Sequence, residues 1–299
     1  TPARVREATA GEVQYSFLLN ERGRTIDDIT IYYDDPDVLL VVNAGNKDRD
    51  VEWLKALEGE VPGVTVTDYS ELWGMIALQG PRSNDVMRAV FGGAFEPPSY
   101  YRFIRLADAL WPGDLIISTT GYTGEHGFEF YLPAEHMGKL WETLLSAAPE
   151  ADVWPIGLGA RDSLRLEAGM PLYGHELTDE TTPLCAGLGK FCDLEKPSFI
   201  GREALLEEKN AGWPARRLIG FELAQKGPVA RQGFDVYGAD GAPIGKVASG
   251  IFSPSLQKVV GMAYVDAAHA RVGNEIFIDI RGRKHPAVIV KRPFYKRSA

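Results

Sequence analysis

The sequence predicts an α+β fold, with helices packed on antiparallel or mixed sheets, followed by a C-terminal β-barrel. Three observations carry this expectation. Over residues 1–207 strand-like and helix-like segments interleave without a strict β-α-β rhythm, which argues against a doubly wound sheet. From about Arg216 to residue 299 helical periodicity stops and short alternating runs succeed one another. Between these regions lies a charged stretch, Glu203 to Asn210, followed by Gly212, Trp213 and Pro214, which reads as a linker. The domains expected are therefore 1–207 and 216–299.

The first elements form a hairpin-like pattern: Val13 to Leu19, the turn residues Asn20 to Gly23, then Ile26 to Tyr33 with Ile29, Ile31 and Tyr33 alternating. Asp34, Asp35, Pro36 and Asp37 close that strand, and Val38 to Val42 opens another. Asn46 suits an N-cap for a helix with Val51, Leu54 and Leu57 on one side. Val64 to Tyr69 and Met75 to Leu78 read as strands, and Gly80-Pro81 opens a helix through Val86, Val90 and Phe91. Phe103 to Leu106, Leu115 to Thr119 and Phe128 to Leu132 are strand-like, and a helix from about Ala134 to Ala147 follows. The last region offers strands at Leu218 to Leu223, Phe234 to Tyr237, Lys246 to Ser249, Val259 to Val265, Glu275 to Ile280 and Ala287 to Lys291. Turn chemistry at Asp240-Gly241, Ser253-Pro254 and Gly282 separates them, the pattern of a small barrel.

Bulk properties exclude several functions. The 299 residues are 45% hydrophobic and 24% charged, the composition of a globular chain able to bury a sizeable core. A net charge of −9, from 41 acidic and 32 basic residues, opposes a nucleic-acid partner. The basic cluster is terminal, Lys291, Arg292, Lys296 and Arg297, and reads either as a solvated tail or as a docking point for an acidic protein. Cys185 and Cys192 lack the spacing of a zinc site and are expected to be reduced and at least partly buried. Apolar runs such as Val38 to Val42 are strand-sized, so no membrane partner is expected. The start at Thr1 shows neither a secretion signal nor a natural beginning, and is expected to reflect a trimmed chain.

Chemistry concentrates in three places. Asp27 and Asp28 adjoin on a strand, so their carboxylates face opposite ways and one can look into a cleft; one turn cap and one solvated acid is the plainer alternative. Gly121 to Glu129 holds three glycines that let backbone approach a ligand, with Glu129 opening the next strand; it is neither a phosphate loop nor a dinucleotide fingerprint, and an inert tight hairpin also fits. Gly157 to Gly169 sets Arg161 and Arg165 along one helix face, where an arginine pair clamps a carboxylate or a ring carbonyl, or else salt-bridges at the surface. His126, His136, His175, His269 and His285 show no metal-ligand spacing, and no nucleophile triad can be argued from order.

In order and character these stretches resemble the aminomethyltransferase, or glycine-cleavage T-protein, family. The resemblance runs through Val-Gln-Tyr-Ser at 13–16, Ile-Asp-Asp at 26–28, Val-Val-Asn-Ala at 41–44, Leu-Gln-Gly-Pro at 78–81 and Gly-Tyr-Thr-Gly-Glu at 121–125. It continues through Gly-Ala-Arg-Asp-Ser-Leu-Arg-Leu-Glu-Ala-Gly at 159–169, Leu-Tyr-Gly at 172–174, Phe-Ile-Gly-Arg-Glu-Ala-Leu at 199–205, Ser-Gly-Ile-Phe-Ser-Pro-Ser-Leu at 249–256 and Pro-Phe-Tyr at 293–295. Each fragment is modest alone, and the ordered set is specific.

The resemblance implies a cloverleaf-like enzyme around a central folate site, two α+β lobes and a barrel, with residues 1–207 as the folate-binding region. The implied reaction transfers the methylene carbon of an aminomethyl group, carried on the lipoyl arm of H-protein, to tetrahydrofolate, releasing ammonia. Tetrahydrofolate is then a co-substrate, lipoylated H-protein the partner, no metal is called for, and the place is the cytoplasm, or the mitochondrial matrix in a eukaryote. By motif position Asp28 matches the catalytic aspartate, Glu129 and Arg161 the pterin-recognising pair, and Tyr15, Asn43 and Tyr122 further pocket positions. Departures are Arg24 where a glycine is usual, His126 for a frequent acid, and Gly189-Lys190-Phe191 where many members carry tryptophan. The family's opening segment, with its Ser-His-Met stretch, is not found before Thr1; if it is absent from the molecule, part of the first lobe and of the folate cleft is expected to be incomplete. Two other functions fit the same scaffold: a folate-dependent demethylase of a small methylated substrate, and a non-catalytic folate-binding scaffold.

Overall fold

The computed structural model describes residues 1–4, 8–108, 111–212, 214–225 and 227–297. The chain divides into two compact units, one of Thr1–Arg4, Ser16–Asp28 and Leu158–Ala299, the other of Val5–Tyr15 and Ile29–Gly157. The amino-terminal strands β1 (Val13–Leu19), β2 (Thr25–Asp34) and β3 (Asp37–Val41) form a sheet in that order. Asn20 shapes the turn before β2, its Oδ1 accepting from the backbone N–H groups of Arg22 and Arg24 at 3.0 and 3.1 Å. Gly23 there takes a φ of 69°, a conformation that costs glycine nothing. β2 and β3 are antiparallel, with Thr30 opposite Val41 and Asp34 opposite Asp37. The helix α1 (Lys47–Glu58) follows, with Asn46 at the expected N-cap position and Val51, Leu54 and Leu57 half-buried.

The rest of the second unit is built on β4 (Trp73–Gln79), β5 (Phe103–Asp108), β6 (Trp111–Ser118) and β7 (Gly127–Pro133), with helices α2 (Ser83–Phe91) and α3 (Met137–Ser146). The sheet order is β4-β7-β6-β5, every neighbour antiparallel. Alternation sends Phe128, Phe130 and Leu132 of β7, with Leu115 and Ile117 of β6, to a core shared with Val86 and Met87 of α2 and Leu140 and Leu144 of α3. On the opposite face Ile116 and Tyr131 pack with Val13, Tyr32 and Phe103. Such full burial contributes about 1.5–3 kcal/mol for each large apolar side chain. Coverage of both faces explains why β7 reads as a nearly continuous apolar run. The strand expected at Val64 to Tyr69 is not formed; Val64 and Tyr69 are about half exposed, and among the described residues the segment joins none of the sheets.

In the first unit α4 (Leu158–Glu167) and α5 (Arg202–Asn210) precede the barrel strands β8 (Arg216–Leu223), β9 (Asp235–Gly238), β10 (Pro243–Ser253), β11 (Lys258–Asp266), β12 (Glu275–Ile280) and β13 (Arg283–Val290). These close in the order β10-β11-β8-β13-β12-β9, which removes sheet edges and encloses a core including Phe221, Val236, Val247, Val265, Ile278 and Ile289. The stretch Glu203 to Asn210, expected as a linker, is helical. Its Leu205 is wholly buried, so one apolar anchor in a charged run was enough to hold a helix. Trp213, expected beside it, lies outside the described residues. Cys185 and Cys192 are free and buried.

Candidate active site

Glu129 is a buried carboxylate with a defined hydrogen-bonding shell. Ser118 of β6 sits directly opposite Glu129 of β7, and Ile116 opposite Tyr131, so the even-numbered residues of one strand share a face with the odd-numbered residues of the other. That register brings Ser118, Thr120, Glu129 and Tyr131 together. Thr120 donates through its hydroxyl to Glu129 Oε2, and Tyr131 OH donates to the same oxygen at 3.1 Å. Tyr32 OH lies 2.9 Å from Tyr131 OH and 3.3 Å from Thr120 Oγ1, and Ser118 Oγ is 2.8 Å from Thr120 Oγ1. Burial, reinforced by the charge on Glu129, pushes the Tyr131 phenol well above its ordinary pKa and raises that of Tyr32. Both phenols therefore keep their protons. None of Ser118, Thr120, Tyr131 or Tyr32 was singled out from the sequence; the period-two spacing of Glu129 with Tyr131 and of Ser118 with Thr120 was the available signal.

The glycine-rich loop before β7 is fixed by the Leu-Gln-Gly-Pro stretch. Gln79 Nε2 donates to the carbonyls of Thr120 and Phe128 at 3.1 and 3.3 Å, while Thr123 Oγ1 donates to Gln79 Oε1 at 2.8 Å. A Cβ at Gly121 would run into the Gln79 amide, a side chain that would have to shift, whereas one at Gly127 would also lie 2.5 Å from the Leu78 carbonyl oxygen, backbone that cannot be moved aside cheaply. His126 is anchored by a 2.9 Å hydrogen bond between its Nδ1 and Ser83 Oγ. Tyr122 is half-buried in this loop, and Tyr15 and Asn43, also in the second unit, are half-buried as well.

Asp28 and Arg161 belong to the first unit. Asp27 is wholly buried on β2 while Asp28 is half-buried, so neither is the freely solvated acid of the plainer reading. Arg161 is half-buried on α4. Its expected companion is not available to a ligand: Arg165, at 1% exposure, donates to Glu176 Oε2 at 2.8 Å, Asp162 Oδ1 at 2.8 Å, the Met170 carbonyl at 3.2 Å and Ser249 Oγ at 3.0 Å. This corrects both the clamp and the surface salt bridge expected of it; the turns after α4 fold back over its guanidinium. Glu167, two residues on, accepts from Ser253 Oγ, from Ser255 N at 3.0 Å and from Ser255 Oγ at 2.7 Å, and its carbonyl accepts from the N–H groups of Phe294 and Tyr295 at 2.9 Å each. The carboxyl end of α4 thus ties the Ser-Gly-Ile-Phe-Ser-Pro-Ser-Leu and Pro-Phe-Tyr stretches together.

The terminal basic cluster is not uniform. Lys291, Lys296 and Arg297 are exposed, but Arg292 donates to the carbonyls of Ala186 and Leu218 at 3.3 and 3.2 Å and packs over Gly169 and Gly220. Arg292 is therefore corrected from tail residue to structural residue. Of the motif departures, Arg24 donates to the Glu180 carbonyl at 3.0 Å and Lys190 lies 4.7 Å over the Phe191 ring. Among the described residues no group of three or more His, Cys, Asp or Glu side chains is placed to hold a metal ion, and no helix is long and apolar enough to cross a membrane.

A buried acceptor cluster in an α+β unit, joined in one chain to a closed antiparallel barrel, defines a class that comparison with known proteins identifies. The profile of the GCVT N-terminal domain matches residues 1–196, and that of the glycine cleavage T-protein C-terminal barrel domain matches residues 216–296. An aminomethyltransferase of Caldanaerobacter subterraneus is 40% identical over 96% of this chain and 76% of its own length. One from Geobacillus thermodenitrificans is 43% identical over 98% of this chain and 80% of its own. The crystal structure of the glycine cleavage system aminomethyltransferase T from Bartonella henselae superposes with a TM-score of 0.86 at 32% identity, covering 99% of this chain and 79% of that one. The chain belongs to the glycine cleavage T-protein family. It is a transferase, and its activity is aminomethyl transfer in glycine cleavage.

Proposed function

We propose that the aminomethyl group arrives on the lipoyl arm of H-protein and that tetrahydrofolate accepts its carbon. In this reaction the carbon–sulfur bond to the lipoyl arm and the carbon–nitrogen bond to the departing ammonia break, while two bonds form from the carbon to folate nitrogens. Of the two protons those nitrogens give up, one returns to the lipoyl sulfur and one to ammonia, so atoms and charge balance.

Asp28 is assigned as the carboxylate that orients the attacking folate nitrogen and takes its proton, a role that requires hydrogen-bond reach and contributes about 100-fold or more to rate. Glu129 accepts from the ring N–H groups of the pterin, and Arg161 donates to ring acceptors through its forked guanidinium. Tyr15, Asn43 and Tyr122 are assigned to the surrounding wall. The folate-binding region is taken as residues 1–207 and the barrel as 216–299. The observation that most supports this reading is the buried Glu129 carboxylate, whose two hydroxyl donors both fall on Oε2.

Steady-state turnover of aminomethylated H-protein with tetrahydrofolate tests it. Asp28→Asn is expected to lower kcat by about 100-fold or more, with the KM for tetrahydrofolate within a few-fold of wild type. Unchanged turnover removes Asp28 from the reaction. Turnover of free methylated amines in place of the carrier would point instead to a demethylase.

A further inference from the structure

We infer that Thr120 and Tyr131, backed by Ser118 and Tyr32, are positioning residues that saturate Glu129 Oε2 and leave Oε1 as the acceptor presented to the pterin. This rests on the assignment of Glu129 to pterin recognition and deepens it.

The argument is a count of protons. Each of the four hydroxyls carries one hydrogen and can also accept. Thr120 and Tyr131 both direct theirs to Oε2, the first in a close hydrogen bond and the second at 3.1 Å. With those hydrogens committed, Tyr131 can only accept from Tyr32, 2.9 Å away, and Thr120 can accept from Ser118, 2.8 Å away. Every hydrogen in the cluster then points toward one carboxylate oxygen. Such a chain is self-reinforcing, since each donor is polarised by the one behind it, and it holds in low dielectric because Ser118, Tyr32 and Tyr131 are themselves buried.

Two consequences follow for the carboxylate. Oε2 takes both bonds, so it is spent inside the protein, and the acceptor capacity left to a ligand is on Oε1. The rotation of the carboxyl group is also fixed, since turning it would break both bonds at once. Tyr32 cannot shift to compensate, because it is wholly buried, with ring centroids 5.3 Å from Phe103 and 5.4 Å from Tyr131. A pterin N–H therefore meets an acceptor whose position is set before binding, which spares the cost of ordering it then.

The test is a double-mutant cycle on tetrahydrofolate binding by the full chain, with KM and kcat measured alongside. Thr120→Val and Tyr131→Phe keep shape and remove a hydroxyl; Thr120→Ser restores the hydroxyl in a smaller side chain. Expected is a rise of roughly tenfold in Kd and KM for tetrahydrofolate in Thr120→Val and in Tyr131→Phe, with kcat within a factor of about two and Thr120→Ser close to wild type. In a Glu129→Gln background, itself weakened, either substitution is expected to add less than about twofold, because the oxygen it served no longer matters. Full additivity in that background, or unchanged affinity in the single variants while Glu129→Gln is weakened, overturns the positioning role alone. Unchanged affinity in Glu129→Gln overturns the underlying assignment of Glu129. Thermal unfolding of each variant identifies any loss that comes from misfolding, and Thr120→Ser then decides the question, since poor binding by that folded, hydroxyl-bearing variant counts against the proposal.

Discussion

Arg165 and Glu176 form a buried ion pair, 2.8 Å from Nη1 to Oε2, with side-chain exposures of 1% and 0%. Taking two charges out of water costs several kcal/mol each, so a lone survivor is worse than either the pair or no charge at all. Glu176→Leu leaves the guanidinium with the half-exposed Asp162 as its counter-charge and strands the Leu172 N–H group that donates to Glu176 Oε2 at 3.0 Å, and Arg165→Met strands the buried carboxylate. Each single variant is expected to lose about 3–5 kcal/mol of stability, and the double variant less than the sum of the two. Denaturant unfolding at equilibrium measures all three. Additive losses would mean that the two charges are not coupled in the folded protein.

A second expectation separates two glycines that look alike in sequence. The atoms nearest a methyl group at Gly121 are those of the Gln79 amide, a side chain; one at Gly127 meets the backbone carbonyl of Leu78 at 2.5 Å as well. Gly121→Ala and Gly127→Ala should each cost about 1–3 kcal/mol through overpacking. Truncation of Gln79 to Ala should abolish most of the further cost of Gly121→Ala and spare little of that of Gly127→Ala, because backbone cannot be trimmed. Melting temperatures of the singles and doubles give the answer, and equal rescue at both positions would contradict the geometry.

The same loop shows what the sequence made legible. β1 is legible to its ends because Val13 to Leu19 is bounded by turn residues; the barrel strands are legible in number and order because Asp240-Gly241 and Gly282 punctuate them, but β10 runs over Pro243–Ser253 and β13 over Arg283–Val290, rather than the Lys246 to Ser249 and Ala287 to Lys291 expected. Val64 to Tyr69 has the composition of a strand and none of its setting: pairing depends on a neighbour far along the chain, which local composition does not report. The charged run Glu203 to Asn210 looked like a linker because only the burial of Leu205 distinguishes it from one. In the candidate site, Glu129 was visible through its motif, while its hydroxyl shell was not. Tyr32 reaches Tyr131 across 99 residues of sequence, and Arg165 reaches Ser249 across 84, so both partnerships exist only once the chain has folded.

The buried cysteines give a pH-dependent expectation. Burial pushes the Cys192 thiol from 9.0 up to about 12, and burial likewise raises Cys185. The thiolate is the reactive form, so at pH 8 the native protein should carry roughly a thousandfold less Cys192 thiolate than an unfolded chain. An aromatic disulfide reagent should label neither cysteine rapidly in the native state and both after denaturation. The sign for stability follows by linkage: between about pH 9 and pH 12 the native state holds a Cys192 proton that the unfolded state has released, so stability falls as pH rises through that window. Substitution of Cys192 by Ala should flatten this alkaline decline. Rapid native labelling at Cys192 would show that the thiol is not shielded as the structure has it.

The terminal cations divide by what they touch, and the division can be tested in one set of variants. Lys296 and Arg297 are exposed, while Arg292 spends its guanidinium on the Ala186 and Leu218 carbonyls and packs its stem against glycine backbone. If an acidic carrier protein docks at this end, steering by exposed charges acts on encounter and is screened by salt, with a Debye length of about 10 Å at 0.1 M. Lys296→Glu with Arg297→Glu should therefore raise the KM for aminomethylated H-protein several-fold at low ionic strength, leave kcat unchanged, and lose most of that effect by about 0.5 M salt. Arg292→Ala should do the reverse: lower the melting temperature by leaving two carbonyls without their donor, at about 1–3 kcal/mol each, with no salt-dependent change in KM beyond that of the wild type. A KM for the carrier that is indifferent to charge reversal at Lys296 and Arg297 would place docking on another surface, while an unchanged melting temperature in Arg292→Ala would deny the guanidinium its structural role.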